Sequence, residues 1–185
     1  MKKIRIAITL ICVTGLSLVF AIPVLAQTTQ NGSLVQAVKI PPERAEGIAL
    51  ARVGNGIVMD IELERKYGQA VYEVEIIHNG RKYEVKIDAT TSEIIKLEDD
   101  NLERSSARFQ TQNASLIQEA KITFARAEEI TLERVGGGAV TKIELKRKRQ
   151  RIIYEVETIH NGREYEIKID AATGKIIKLK SELKR

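Results

Sequence analysis

Hydrophobic positions along this chain follow two periods in turn, and the succession occurs twice. From Pro41 to Val53, Ala45, Ile48, Ala49 and Val53 recur at the spacing of one helical face, with proline early, which predicts an amphipathic helix. Gly54-Asn55-Gly56 ends it. The later counterpart opens on Thr123, a good N-cap, and closes on Gly136-Gly137-Gly138. These glycines follow a helix rather than precede one, so they read as a C-cap and strand entry, not a phosphate cradle. After them the period becomes two. Ile57, Met59, Ile61 and Leu63 alternate with Val58, Asp60, Glu62 and Glu64, and Ala139, Thr141, Ile143 and Leu145 repeat the phase. The next two strands flank Asn79-Gly80, a strong hairpin signal. A two-residue turn there pairs His78 with Arg81, Ile76 with Tyr83, Val74 with Val85 and Tyr72 with Ile87, so the apolar partners share one face. The other face pairs Glu73 with Lys86 but Glu75 with Glu84, a like-charge pair suited to a solvated surface. A short strand from Ile94 to Leu97 completes the meander.

The succession occurs twice because the chain is duplicated. Residues 29–97 align with 111–179 at a constant offset of 82 without a gap, and 43 of the 69 positions are identical. The predicted class is α+β: two tandem small domains, each with one helix packed on an antiparallel meander of three to four strands. The expected divisions are a leading segment 1–26, a first domain 27–97, a polar linker 98–112 and a second domain 113–185. A linker of that length reaches roughly 50 Å when extended, so the sequence leaves the placement of the domains open.

Charge and composition narrow the compartment. Lys2, Lys3 and Arg5 precede a run from Ile6 to Ala26 without a charged residue, and Val24-Leu25-Ala26 has the small side chains of a cleavage site. That pattern predicts export with cleavage before Gln27, or membrane anchorage if the segment is kept. Removing three cations takes the formal net charge from +5 to +2. Export and near-balance together argue against nucleic acid as a partner. The single cysteine, Cys12, lies in the leading segment, so disulfides contribute nothing after cleavage.

Several motifs of the copies match a known family. An apolar helix with Ala and Ile at fixed spacing, Tyr154-Glu155-Val156-Glu157, Tyr165-Glu166-Ile167-Lys168-Ile169-Asp170-Ala171-Ala172-Thr173-Gly174 and Ile176-Ile177-Lys178-Leu179 together resemble the PepSY domain. That module occurs in propeptides of thermolysin-like metallopeptidases and in bacterial envelope proteins. The resemblance covers about 39–97 and 121–179, and the first copy departs from it at Ser92, where the family usually has glycine. It implies a role without catalytic residues or cofactor: an extracytoplasmic module that binds protein and inhibits or modulates peptidases. Such action is expected in trans, because no peptidase domain accompanies the copies in this sequence.

The residues themselves offer little to an enzyme. His78 and His160 occupy the same hairpin position in the two copies and lack a metal-ligand spacing, so they read as turn residues. Glu73 with Glu75, and Glu155 with Glu157, share a face but are expected to be solvated, with nothing to separate an acid from a base. One local feature stands apart. Lys146, Arg147, Lys148, Arg149 and Arg151 crowd the turn between the first two strands of the second copy, where the first copy has the mixed Glu64 to Gln69. These five cations are the candidate contact for an anionic polymer or a lipid surface, the alternative to protein binding.

Overall fold

The computed structural model describes residues 30–66, 68–100, 116 and 118–183. The leading segment, its cleavage site and most of the polar linker lie outside these residues. Element order is α1 (Gln30–Ala37), α2 (Pro42–Val53), β1 (Ile57–Lys66), β2 (Gln69–His78), β3 (Arg81–Asp88), β4 (Ile94–Asp100), α3 (Phe124–Val135), β5 (Ala139–Lys148), β6 (Arg151–His160), β7 (Arg163–Asp170) and β8 (Ile176–Leu183). Each copy is therefore a helix and a four-stranded meander, preceded in the first copy by α1 and in the second by residues 116 and 118–119, which are also helical. No helix among the described residues is long and apolar enough to cross a membrane.

Local chemistry sets the helix limits. Thr123 accepts a hydrogen bond from the Arg126 backbone N–H at 3.1 Å, and Gly54 and Gly136 close α2 and α3 at φ 89°. Ala45 and Ala49 are fully buried against the sheet, with Ile48 and Val53 packed around them. The helices cover one face, and Tyr72 and Tyr154 pin the chain leading into each by donating to the carbonyls of Ile40 (3.1 Å) and Ile122 (2.9 Å).

The hairpin register follows the Asn-Gly turns. Asn79 and Gly80 both have positive φ (49° and 74°), and His78↔Arg81, Ile76↔Tyr83, Val74↔Val85 and Tyr72↔Ile87 pair as the alternation requires. The first strand departs from uniform alternation. A bulge between Val58 and Asp60, repeated between Val140 and Lys142, shifts the phase, so Val58 and Val140 enter the core in place of Met59 and Thr141. The last strands run longer than the apolar run suggests, to Asp100 and Leu183.

The largest departure concerns the two copies. The two tandem units are joined edge to edge: β1 pairs with β5, giving one eight-stranded antiparallel sheet of order β4-β3-β2-β1-β5-β6-β7-β8. The seam pairs Asp60↔Glu144, Ile61↔Ile143 and Glu62↔Lys142. Residues 61 and 143 are themselves 82 apart, the offset of the repeat, so a local two-fold axis passes between these isoleucines. Both are nearly inaccessible (2% and 1%), and the buried residues of both copies form one continuous core. A sequence pattern shows which face of β1 is apolar. It does not show that the edge of β1 finds its own duplicate.

Candidate functional site: the open face and its outer strands

Opposite the helices, the sheet presents a lattice of charge. The pairings place Lys96, Lys86, Glu73, Glu62, Lys142, Glu157, Glu166 and Lys180 in one row across all eight strands. The adjacent row reads Glu98, Glu84, Glu75, Asp60, Glu144, Glu155, Lys168 and Lys178, six carboxylates followed by two cations. Directly opposed carboxylates repel, and lysines reaching diagonally from the neighbouring row compensate. Lys86 bonds Glu84 and meets Glu98 at 3.1 Å and Glu73 at 3.5 Å; Lys82 bonds Glu75, and Lys168 bonds both Glu155 and Glu166.

The paired glutamates of the second copy are driven apart, contrary to the expectation of equal solvation. Burial alone would raise Glu155, but Lys168 and Lys146 outweigh it and hold its carboxyl below the usual range. Glu157 is raised, first by burial and then by Glu164. The arrangement lies on the open face, where Glu157 borders a cleft of about 280 Å³ with Glu164, Glu166 and Lys180. At the seam, burial pushes the Asp60 carboxyl up to about 7 despite Lys142 at 3.3 Å, because Lys142 stands closer to Glu62 (2.6 Å) and Glu144 adds repulsion. Lys142 is correspondingly held in its charged form, since its bonds to Glu62 and Asp60 outweigh its burial.

His78 and His160 do not converge. β1 and β5 run antiparallel, which sends the two histidine-bearing hairpins to opposite ends of the sheet, and each imidazole Nε2 lies 2.9 Å from the Nδ2 of the asparagine that follows it. No group of three or more metal-ligating side chains occurs among the described residues.

The basic segment is reorganised by its backbone. Only Arg149 and Gln150 form the turn; Lys146 to Lys148 belong to β5 and Arg151 begins β6. Alternation therefore divides the five cations. Lys146 meets Glu144 at 2.7 Å and Glu155 at 3.3 Å, and Arg147 reaches Glu119 at 2.8 Å. Lys148, Arg149 and Arg151 make no ion pair among the described residues, and Lys148 stands directly across from Arg151. Two cations that the sequence reading missed join them: Lys168 from β7 and Lys178 from β8 line the same cleft, of about 660 Å³, over Ile153 and Ile177. The Lys168 ammonium lies close enough to hold Lys148 below its usual range. The signal that could have found them is the register, since Lys168 and Lys178 oppose each other one hairpin away.

The comparisons with known proteins agree with this architecture. A family model described as "Peptidase propeptide and YPEB domain", PepSY, matches residues 39–98 and 121–180, one match on each meander with its helix. The chain belongs to the PepSY family. Among curated relatives it is 35% identical to the uncharacterized protein YkoJ of Bacillus subtilis strain 168 over 137 residues, 74% of this chain and 71% of that one. Among solved structures it is similar to a candidate lipoprotein from Clostridium difficile 630, with TM-score 0.54 and 26% identity over 80% of this chain and 97% of the other. The PepSY match supports a non-catalytic module, and both copies carry it.

Proposed function

We propose that this PepSY protein is an extracytoplasmic binding module that takes an extended segment of a protein partner along an outer edge of its sheet, and modulates peptidases in trans. One observation carries the reading. Pairing of β1 with β5 uses up the inner edges and leaves β4 and β8 as the outer strands, whose remaining backbone groups can extend the ladder. Exposed apolar side chains sit on these two strands, with Ile95 43%, Ile177 43% and Leu183 71% accessible. The charged leading sequence followed by an uncharged run supports export, and the likeness to a candidate lipoprotein is in keeping with an envelope location.

The test is hydrolysis of a peptide substrate by a thermolysin-like metallopeptidase with increasing amounts of the protein. The reading expects the rate to fall saturably, with the protein itself left intact. Undiminished hydrolysis at concentrations well above micromolar, for several such peptidases, would remove the peptidase clause. A second reading rests on Lys148, Arg149 and Arg151 at the β5–β6 turn, which make no ion pair among the described residues and suit an anionic polymer or lipid surface. Binding to anionic vesicles that vanishes at high salt would favour it.

A further inference from the structure

The two outer strands are equivalent by the repeat but not by charge. On β4, Lys96 is paired to Glu98, and Asp99 is paired to Arg81. On β8 the counterpart of Glu98 is Lys180 and that of Asp99 is Ser181. The strand then borders the cleft in which Lys148, Arg149, Arg151 and Lys178 have no ion-pair partner among the described residues, over a floor of Ile153 and Ile177. In the first copy the counterparts of Lys148 and Lys178, Lys66 and Lys96, are both neutralised by glutamates, and Gln69 stands where the second copy has Arg151. Arg149 is also held at φ 57°, a conformation that costs a side chain energy and that glycine would adopt freely.

We propose that β8, and not β4, is the docking edge, and that its occupant is an extended protein segment in which acidic residues alternate with apolar ones. This assignment deepens the reading of edge addition and rests on it. The alternation follows from the register. Lys178 and Lys180 pair with Lys168 and Glu166 on the open face, whereas Leu179 pairs with Ile167 on the helix-covered face. Lys180 already meets Glu166 at 3.2 Å, but a strand added beside β8 places every second side chain next to Lys178 and the cleft, where carboxylates supply the missing counter-charge. The intervening side chains lie beside Leu179, which is 37% exposed and gains apolar cover.

The test is amide hydrogen exchange of the protein with acetyl-(Val-Glu)4-amide, and in parallel with the (Val-Lys)4 peptide, inorganic phosphate and vesicles containing phosphatidylglycerol. The Val-Glu peptide is expected to slow exchange in residues 176–183 and leave 94–100 unchanged. Joint replacement of Lys148 and Arg151 by Ser with Arg149→Gly should weaken it about tenfold, since charge complementarity there acts beside backbone pairing. The thermal midpoint of that variant is the folding control. If it shifts, the single Lys178→Ser variant, outside the turn, should still weaken the peptide several-fold. Protection at 94–100 by either peptide with 176–183 unchanged would overturn the assignment while keeping edge addition. No protection at either edge by either peptide would overturn both. Capture by vesicles or phosphate without protection by the peptide would overturn it in favour of anion binding alone.

Discussion

The first and second copies share a core and differ at the surface, and the difference is not spread evenly. Tyr72, Val74, Ile61 and Ile87 have Tyr154, Val156, Ile143 and Ile169 as counterparts, all buried on the same face. The hairpin turns, the glycine C-caps and both bulges also recur. Change is densest in the helices and in the turns between the first two strands of each copy; in the seam stretch 60–62 it is confined to Asp60, whose counterpart is Lys142, and on the outer strands it begins only after the identical 94–97 and 176–179, where Glu98 and Asp99 give way to Lys180 and Ser181. At the seam the asymmetry has a physical use. A first copy paired with its own duplicate would oppose Asp60 with Glu62 twice, four carboxylates without a cation. Lys142 interrupts that set and bonds both Asp60 and Glu62. Duplication supplied the frame, and substitution at one position made the two halves fit each other.

That comparison breaks most severely at the seam. Lys142→Asp restores the charge of the first copy and leaves only carboxylates around a half-buried site, so we expect a loss of about 3 kcal/mol, read from the denaturant midpoint. Ile95→Ala, an exposed change on an outer strand, should cost less than about 0.5 kcal/mol in the same measurement. A comparable loss at both positions would show that the seam is no more important than the rim.

A second prediction uses pH. Burial raises the folded-state carboxyl of Asp60 to about 7, and that of Glu128, next to Glu43 and Glu46, to about 7 as well. A carboxyl raised on folding binds its proton more tightly in the native state. Its contribution is therefore fully favourable below the unfolded value, about 4, and is lost as pH rises through about 7. Asp60→Asn should stabilise the protein by about 1–2 kcal/mol at pH 8 and by almost nothing at pH 4. Chemical denaturation at the two pH values decides it. A variant equally stabilised at both would locate the effect in packing and not in ionisation.

The smallest effects sharpen the comparison residue by residue. Thr131 is fully buried with its hydroxyl unpartnered among the described residues, where the first copy has Ala49. Thr131→Ala should therefore raise stability by about 1 kcal/mol. Ser92 sits at φ 70°, where the second copy has Gly174 at φ 73°. Ser92→Gly should add about 0.5–1 kcal/mol, and thermal midpoints of the two variants test both expectations.

Much of this fold is legible along the chain, and the reason is local. The Asn-Gly turns fix the hairpin register, and each glycine run marks the end of a helix and entry to a strand. The bulges at Met59 and Thr141 escape a period-two reading because one extra residue shifts the phase without any composition change. The seam escapes it because strand edges carry no side-chain signature, and only the offset of 82 between Ile61 and Ile143 hints at a dyad. The candidate site was legible in part. Five cations stand out at 146–151, but which of them are free depends on Glu119, Glu144 and Glu155 arriving from elsewhere. Lys168 and Lys178 look like ordinary strand lysines until pairing brings them to the same cleft.

The continuity of the sheet decides which strands are outer edges, so it is the claim on which the rest depends. Amide hydrogen exchange at residues 60–62 and 142–144 tests it directly. If β1 and β5 pair, each of these amides bonds either to its own hairpin partner or across the seam, and all six should exchange as slowly as their neighbours in β2 and β6. If every second amide in both stretches exchanged at the rate of an exposed edge, the copies would be separate domains and the account of an inner seam with two outer edges would be wrong.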